Sequence, residues 1–156
     1  MDLKKLLGNV SYKVLQGNSA VEVNNIAYDS RKVSAGAVFV CVTGFSVDGH
    51  KFAPLAEKEG ASALICERMP EGIGSEITVI QVENSREVLA LMAVHYYDEP
   101  SAKMSLIGVT GTNGKTTTTY LMKSVLDRMG KKVGVIGTIE NRIGDKVLPT
   151  ERTTPE

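Results

Sequence analysis

Three short apolar runs punctuate the first hundred residues: Ala37-Val38-Phe39-Val40-Cys41-Val42, Ala63-Leu64-Ile65-Cys66 and Ile77-Thr78-Val79-Ile80-Gln81-Val82. Their length predicts strands, and the nearly unbroken first run predicts one buried on both faces. Val21-Glu22-Val23 and Ile26-Ala27-Tyr28 read as further strand-like pieces around Asn24-Asn25, before a polar break at Asp29–Val33. Helical spacing lies between these pieces. Asp2 to Leu7 predicts a short amphipathic helix stopped by Gly8-Asn9. A helix from about Lys51 to Glu59 places Phe52, Leu55 and Ala56 on one side and ends at Gly60. Asn84, with Glu87 three residues on, forms a capping-box pattern ahead of Val88, Leu91, Met92 and His95 at i, i+3, i+4 and i+7. His95 on that stripe reads as a partly buried structural residue. The glycines of Thr43–Phe52 and the Pro and Gly residues of Met69–Gly74 predict loops.

Pro100 closes this pattern, and a second begins after it. Ser105–Val109 predicts a buried strand, Lys115–Met129 a helix with Leu121, Val125 and Met129 as its apolar stripe, and Gly130 its end. Lys132–Gly137 follows as a strand, completing a βαβ piece. Ile139–Ile143 and Lys146–Leu148 around Gly144-Asp145 predict a hairpin. Pro149–Glu156 reads as polar and extended. The class is therefore α/β: a small α/β domain over residues 1–100, then the first βαβ unit of another domain over 101–156. One such unit and a hairpin cannot cover both faces of a parallel sheet, so the expectation is an N-terminal part of a longer protein.

Composition narrows the classes. The 156 residues carry 18 basic and 18 acidic side chains, a balance that argues against a nucleic-acid coat or an acidic membrane surface as main partner. Cys41 and Cys66 both sit in apolar runs and read as buried thiols. Met1-Asp2-Leu3-Lys4-Lys5 leads into only two further leucines, which does not resemble a secretory leader, and no apolar run is long enough to span a bilayer. A cytoplasmic protein is expected.

The densest chemistry lies between the Ser105–Val109 segment and the helix that follows. Thr110-Gly111-Thr112-Asn113-Gly114-Lys115-Thr116-Thr117 has the strand, glycine-rich turn and helix-opening Gly-Lys-Thr of a phosphate-cradling loop. The position six before Lys115 is Val109, with Gly108 one place earlier. Gly111 and Gly114 let the backbone adopt positive φ and approach a polyphosphate. Successive N–H groups and the helix N-terminus then face the anion. Lys115 is expected on the β- and γ-phosphates of ATP, and the Thr116 hydroxyl on Mg²⁺.

That loop resembles the one found in Mur ligases and their folylpolyglutamate synthetase relatives. Asp29-Ser30-Arg31 followed by Gly36-Ala37-Val38-Phe39-Val40, and Gly44 followed by Asp48-Gly49-His50-Lys51-Phe52, are similar to the uridine-binding first domain of the muramoyl-peptide ligases. Thr153-Thr154-Pro155-Glu156 resembles the branch that adds the third residue of the stem peptide.

The resemblance implies a monomeric, cytoplasmic, three-domain enzyme of peptidoglycan synthesis. ATP would convert a carboxylate of UDP-MurNAc-L-Ala-D-Glu into an acyl phosphate, and a free amino acid, meso-diaminopimelate or L-lysine, would attack it. It implies that Ser30 and Tyr28 contact the UDP portion and that Gly44, Phe45, Ser46 and Val47 close over it. Thr153 and Thr154 would hold the muramoyl or phosphate part. Residues 1–100 would be the UDP-MurNAc domain and 101–156 the incomplete start of the ATP domain, inactive by itself. A last-step ligase adding a dipeptide, a non-catalytic UDP-sugar-binding module and a P-loop kinase remain as alternatives.

Overall fold

The computed structural model describes residues 1–44 and 47–148. The chain forms two compact units, Met1–Met104 and Ser105–Glu156.

The first unit contains α1 (Leu3–Leu7), β1 (Lys13–Gln16), β2 (Asn25–Ala27), β3 (Ala37–Val40), α2 (Ala53–Lys58), β4 (Ala63–Cys66), β5 (Thr78–Gln81) and α3 (Ser85–Tyr96). Its sheet has the order β1-β5-β4-β3-β2. β2 to β5 run parallel, and β1 is an antiparallel edge. Successive side chains of a strand point to opposite faces, and here both faces are covered. Val38, Val40, Ala63, Ile65 and Ile80 form one core with Leu3, Leu6 and Leu7 of α1 and Val88, Leu89 and Met92 of α3. Phe39, Cys41, Leu64, Cys66 and Val79 form the other with Ala53 and Ala56 of α2. This is why β3 and β4 read as unbroken apolar runs.

The helix ends follow local chemistry. Asp2 accepts from the Lys4 N–H at 2.7 Å, and Gly8, at φ 56°, closes α1. Asn84 accepts from the N–H groups of Arg86 and Glu87, both at 3.1 Å. His95 Nδ1–H donates to the Leu6 carbonyl oxygen at 2.8 Å, since that oxygen can only accept, and so ties α3 to α1 as the structural residue expected.

Two local expectations differ, and one strand, β1, had none. β1 lies in Lys13-Val14-Leu15-Gln16, which carries no apolar run; pairing with β5 holds it, and Gln16 donates to the carbonyls of Gly74 (2.7 Å) and Ile77 (2.8 Å). Val21–Val23 is not a sheet strand. It runs beside the chain start, with Leu3 N–H on the Val21 carbonyl (2.9 Å) and Val23 N–H on that of Met1 (2.8 Å). α2 begins at Ala53, after a 3₁₀ turn over Gly49–Phe52, and buries Ala53 and Ala56 while Phe52 and Leu55 stay 38% and 41% exposed. Small side chains on the buried stripe let this short helix lie close to the sheet.

The second unit contains α4 (Lys115–Arg128), β6 (Gly134–Ile136), β7 (Asn141–Ile143) and β8 (Lys146–Leu148). The three strands form an antiparallel β6-β7-β8 sheet. Helix and hairpin follow the expected pattern, but Ser105–Val109 forms no strand, and Leu106 and Ile107 are 70% and 57% exposed. β6 pairs with β7 through a short connection rather than with Ser105–Val109 across α4. Short antiparallel closure costs less chain entropy than a crossover. Leu121, Val125 and Met129 are exposed on α4. The Pro149–Glu156 segment lies outside the described residues. No helix among the described residues is long and apolar enough to cross a membrane.

Candidate functional site

The glycine-rich turn leads directly into α4. Gly111 has φ 145° and Gly114 φ 76°, the positive values that favour glycine. Gly114 is the N-cap, no side chain caps the helix, and no acidic residue occupies its first turn. The N–H groups of a helix's first turn lack intrahelical partners, and they carry the positive end of the helix dipole. Lys115 curls back over the turn, its Nζ donating to the Gly111 carbonyl at 2.6 Å. Thr110, Thr112, Asn113 and Thr117 are exposed, and Thr116 is half-buried. The turn is thus a row of backbone donors with a cation beside it, an arrangement suited to a polyphosphate. Behind it, Tyr120 OH (2.7 Å) and Arg142 Nε (2.9 Å) both donate to Glu140 Oε1, bracing α4 against β7. Those bonds, that from Tyr120 foremost, lower the Glu140 pKa.

The first unit gathers its candidates at the carboxyl ends of parallel strands, where ligands of such sheets bind. Tyr28 follows β2 and is exposed. Ser30 is buried and opens a 3₁₀ turn capped by Asp29, whose carboxylate also takes Arg31 Nε (2.9 Å) and Nη2 (2.7 Å). The Arg31 side-chain bond holds Asp29 at about 2. Beyond β3, Gly44 N–H donates to the Val47 carbonyl at 3.0 Å, and Val47 is exposed. Phe45, Ser46, Thr153 and Thr154 lie outside the described residues.

A polar network at the same edge was not singled out from the sequence. Asp48 accepts from the His50 backbone N–H (3.0 Å), pairs with His50 Nδ1 (2.7 Å) and takes Arg68. Glu67 accepts from Ser85 N–H (3.0 Å), Ser85 Oγ (2.9 Å) and Thr43 Oγ1 (3.2 Å). Burial opposes both charges, but the bonds outweigh it: Asp48 falls to about 2 through His50 and Arg68, and Glu67 falls through Ser85 and Thr43. Only Asp48-Gly49-His50 hinted at this network, because its other members arrive from β4 and α3. Cys41 and Cys66 are buried free thiols. Burial raises both pKa values, that of Cys66 to about 11, so neither is a nucleophile.

Comparison with known proteins matches residues 22–97 to "Mur ligase family, catalytic domain" and 109–156 to "Mur ligase middle domain". UDP-N-acetylmuramoyl-L-alanyl-D-glutamate--2,6-diaminopimelate ligase 1 of Clostridium acetobutylicum is 49% identical over 156 residues, covering 100% of this chain and 32% of that protein. The corresponding ligase of Clostridium tetani is 46% identical, covering 100% and 33%. The chain thus spans roughly a third of the length of these relatives. Among solved structures, a UDP-N-acetylmuramoyl-L-alanyl-D-glutamate--2,6-diaminopimelate ligase shares the fold, with TM-score 0.72 and 24% identity over 96% of this chain and 30% of that one. MurF of Thermotoga maritima in complex with ADP gives TM-score 0.52 and 34% identity over 70% and 24%.

Proposed function

The chain belongs to the Mur ligase family, and from that premise we propose that it forms part of an ATP-dependent ligase joining 2,6-diaminopimelate to UDP-MurNAc-L-Ala-D-Glu. Relatives bearing that name at 43–49% identity support the substrates. The observation that carries the reading is the uncapped turn at Gly111–Thr116, with Lys115 beside it.

The residues present fit ATP. The N–H groups of the turn would face the phosphates, and Lys115 would leave the Gly111 carbonyl for the β- and γ-phosphates. Thr116 would hold Mg²⁺ through its hydroxyl; Thr110, Thr112, Asn113 and Thr117 would line the same turn. Bound ATP would supply the phosphoryl group that turns the substrate carboxylate into an acyl phosphate, leaving ADP, and attack by the diaminopimelate amine would form the amide and expel inorganic phosphate. What this chain adds is orientation and charge neutralisation at the transferring group.

Residues 1–100 would hold the UDP end, with Ser30, Tyr28 and the Gly44–Val47 segment nearest to it, and residues 101–156 would begin the ATP domain. Thr153 and Thr154 would hold the muramoyl or phosphate part. The protein would be a cytoplasmic monomer, and these 156 residues alone would not ligate.

The test uses the full-length protein with ATP, Mg²⁺ and UDP-MurNAc-L-Ala-D-Glu. Diaminopimelate should yield the tripeptide product together with ADP. L-lysine as the only accepted amino acid would change the substrate, and no product with either would end the proposal. The last-step reading is supported by MurF structures at 27–34% identity; turnover of UDP-MurNAc-tripeptide with D-Ala-D-Ala, and none of the dipeptide, would favour it.

A further inference from the structure

His50 is 5% exposed, and both of its ring nitrogens are occupied. Nε2 lies 3.1 Å from the Glu67 backbone nitrogen, which can only donate, so Nε2 carries the lone pair. The proton is therefore on Nδ1, 2.7 Å from Asp48 Oδ1, where the carboxylate accepts it. This leaves the ring no free valence with which to accept or deliver a proton. It is a clasp between the loop after β3 and the end of β4.

The surrounding contacts show what the clasp holds. Gly49 N–H donates to the Val42 carbonyl at 2.9 Å, and Gly44 N–H to that of Val47 at 3.0 Å, so the two ends of this segment fold onto each other. A Cβ on Gly49 would fall 2.7 Å from both the nitrogen and the oxygen of Val42, so the approach requires glycine. Asp48, gripped by the ring, also takes Arg68. Glu67, whose N–H binds the ring, reaches across to Thr43 Oγ1 and to the first residue of α3, Ser85. The end of β4 and the start of α3 are thus both fixed to this one loop.

We propose that His50 is a positioning residue for the uridine-nucleotide substrate: as a neutral, Nδ1-protonated imidazole it clamps Asp48 to the Glu67 N–H and so sets the backbone of Thr43, Gly44 and Val47 where that substrate binds. The inference rests on the proposed ligase function. It separates the two substrates, because the clasp lies wholly in the first unit and the glycine-rich turn in the second.

The test is steady-state kinetics of the full-length wild type, His50→Ala and His50→Gln, with ¹⁵N NMR of the wild-type imidazole. His50→Ala should raise KM for UDP-MurNAc-L-Ala-D-Glu about tenfold, the weight of one oriented hydrogen bond, and leave KM for ATP within about twofold. His50→Gln, whose amide oxygen can replace Nε2 as acceptor, should recover part of the loss. The ¹⁵N shifts should report Nδ1 protonated. An unchanged KM for the uridine substrate, an equal rise in both KM values, or an Nε2-protonated ring would overturn the proposal. If His50→Ala does not fold, His50→Gln and the wild-type spectrum decide. Failure of the wild type to bind UDP-MurNAc-L-Ala-D-Glu would instead remove the ligase reading itself, and this inference with it.

Discussion

The two units satisfy the polar groups of their candidate sites in opposite ways. At the sheet edge of the first, the donors and acceptors of Asp48, His50, Glu67 and Ser85 are already matched to one another, and the loop they hold is fixed by side chains. At the start of α4 in the second, backbone donors stand open and the cation rests on its own turn's carbonyl. A matched network gives rigidity and depends on every member. An open turn gives affinity for any polyphosphate and depends on backbone conformation and one side chain. Substitutions should therefore fail differently on the two sides.

The largest separation is expected from Lys115→Ala in the full-length protein. Its ammonium would sit at the transferring phosphoryl group, so kcat should fall by about 10³-fold. Calorimetric titration with UDP-MurNAc-L-Ala-D-Glu should show unchanged affinity; a loss there would break the division between units.

Gly49→Ala is the converse. Forcing a methyl against the Val42 backbone should destabilise the first unit by about 2–3 kcal/mol, the cost of overpacking a rigid contact. Urea unfolding reads this directly, and ATP affinity measured well below the transition should not move.

Acid should act on the first unit by the same logic. Asp48 has a folded pKa depressed to about 2, and that of Glu67 is also lowered. A depressed carboxylate pKa contributes stability that is present above the unfolded value, about 4, and lost as pH falls toward the folded one. Thermal unfolding temperature should therefore drop between about pH 4 and pH 2, and Asp48→Asn should flatten part of that slope.

The smallest effect is expected from Arg31→Ala. Its ion pair with Asp29 is intramolecular, local and largely exposed on the arginine side. Stability should change by less than about 1 kcal/mol, and a larger change by urea unfolding would mean that this turn carries more than its pairing suggests.

The same contrast decides what could be read from sequence. The glycine-rich turn is local: Gly111, Gly114 and Lys115 lie within five positions, and their conformations follow from residue type. β3 and β4 were legible because burial on both faces leaves an unbroken apolar run. β1 was not, since an edge strand paired with β5 needs no such run. Nor was the His50 clasp, because Asp48, Glu67 and Ser85 meet only after β3, β4 and α3 have assembled. Ser105–Val109 has the residues of a buried strand, yet Leu106 and Ile107 are exposed in a chain that spans about a third of its relatives' length.

Hydrogen exchange of the full-length protein, with and without ATP and Mg²⁺, bears most directly on the open turn. ATP should slow exchange at the backbone amides of residues 111–117 and leave those of Thr43, Gly44 and Asp48 unchanged. Unaltered exchange across 111–117 at saturating ATP would contradict the assignment of that turn to the nucleotide.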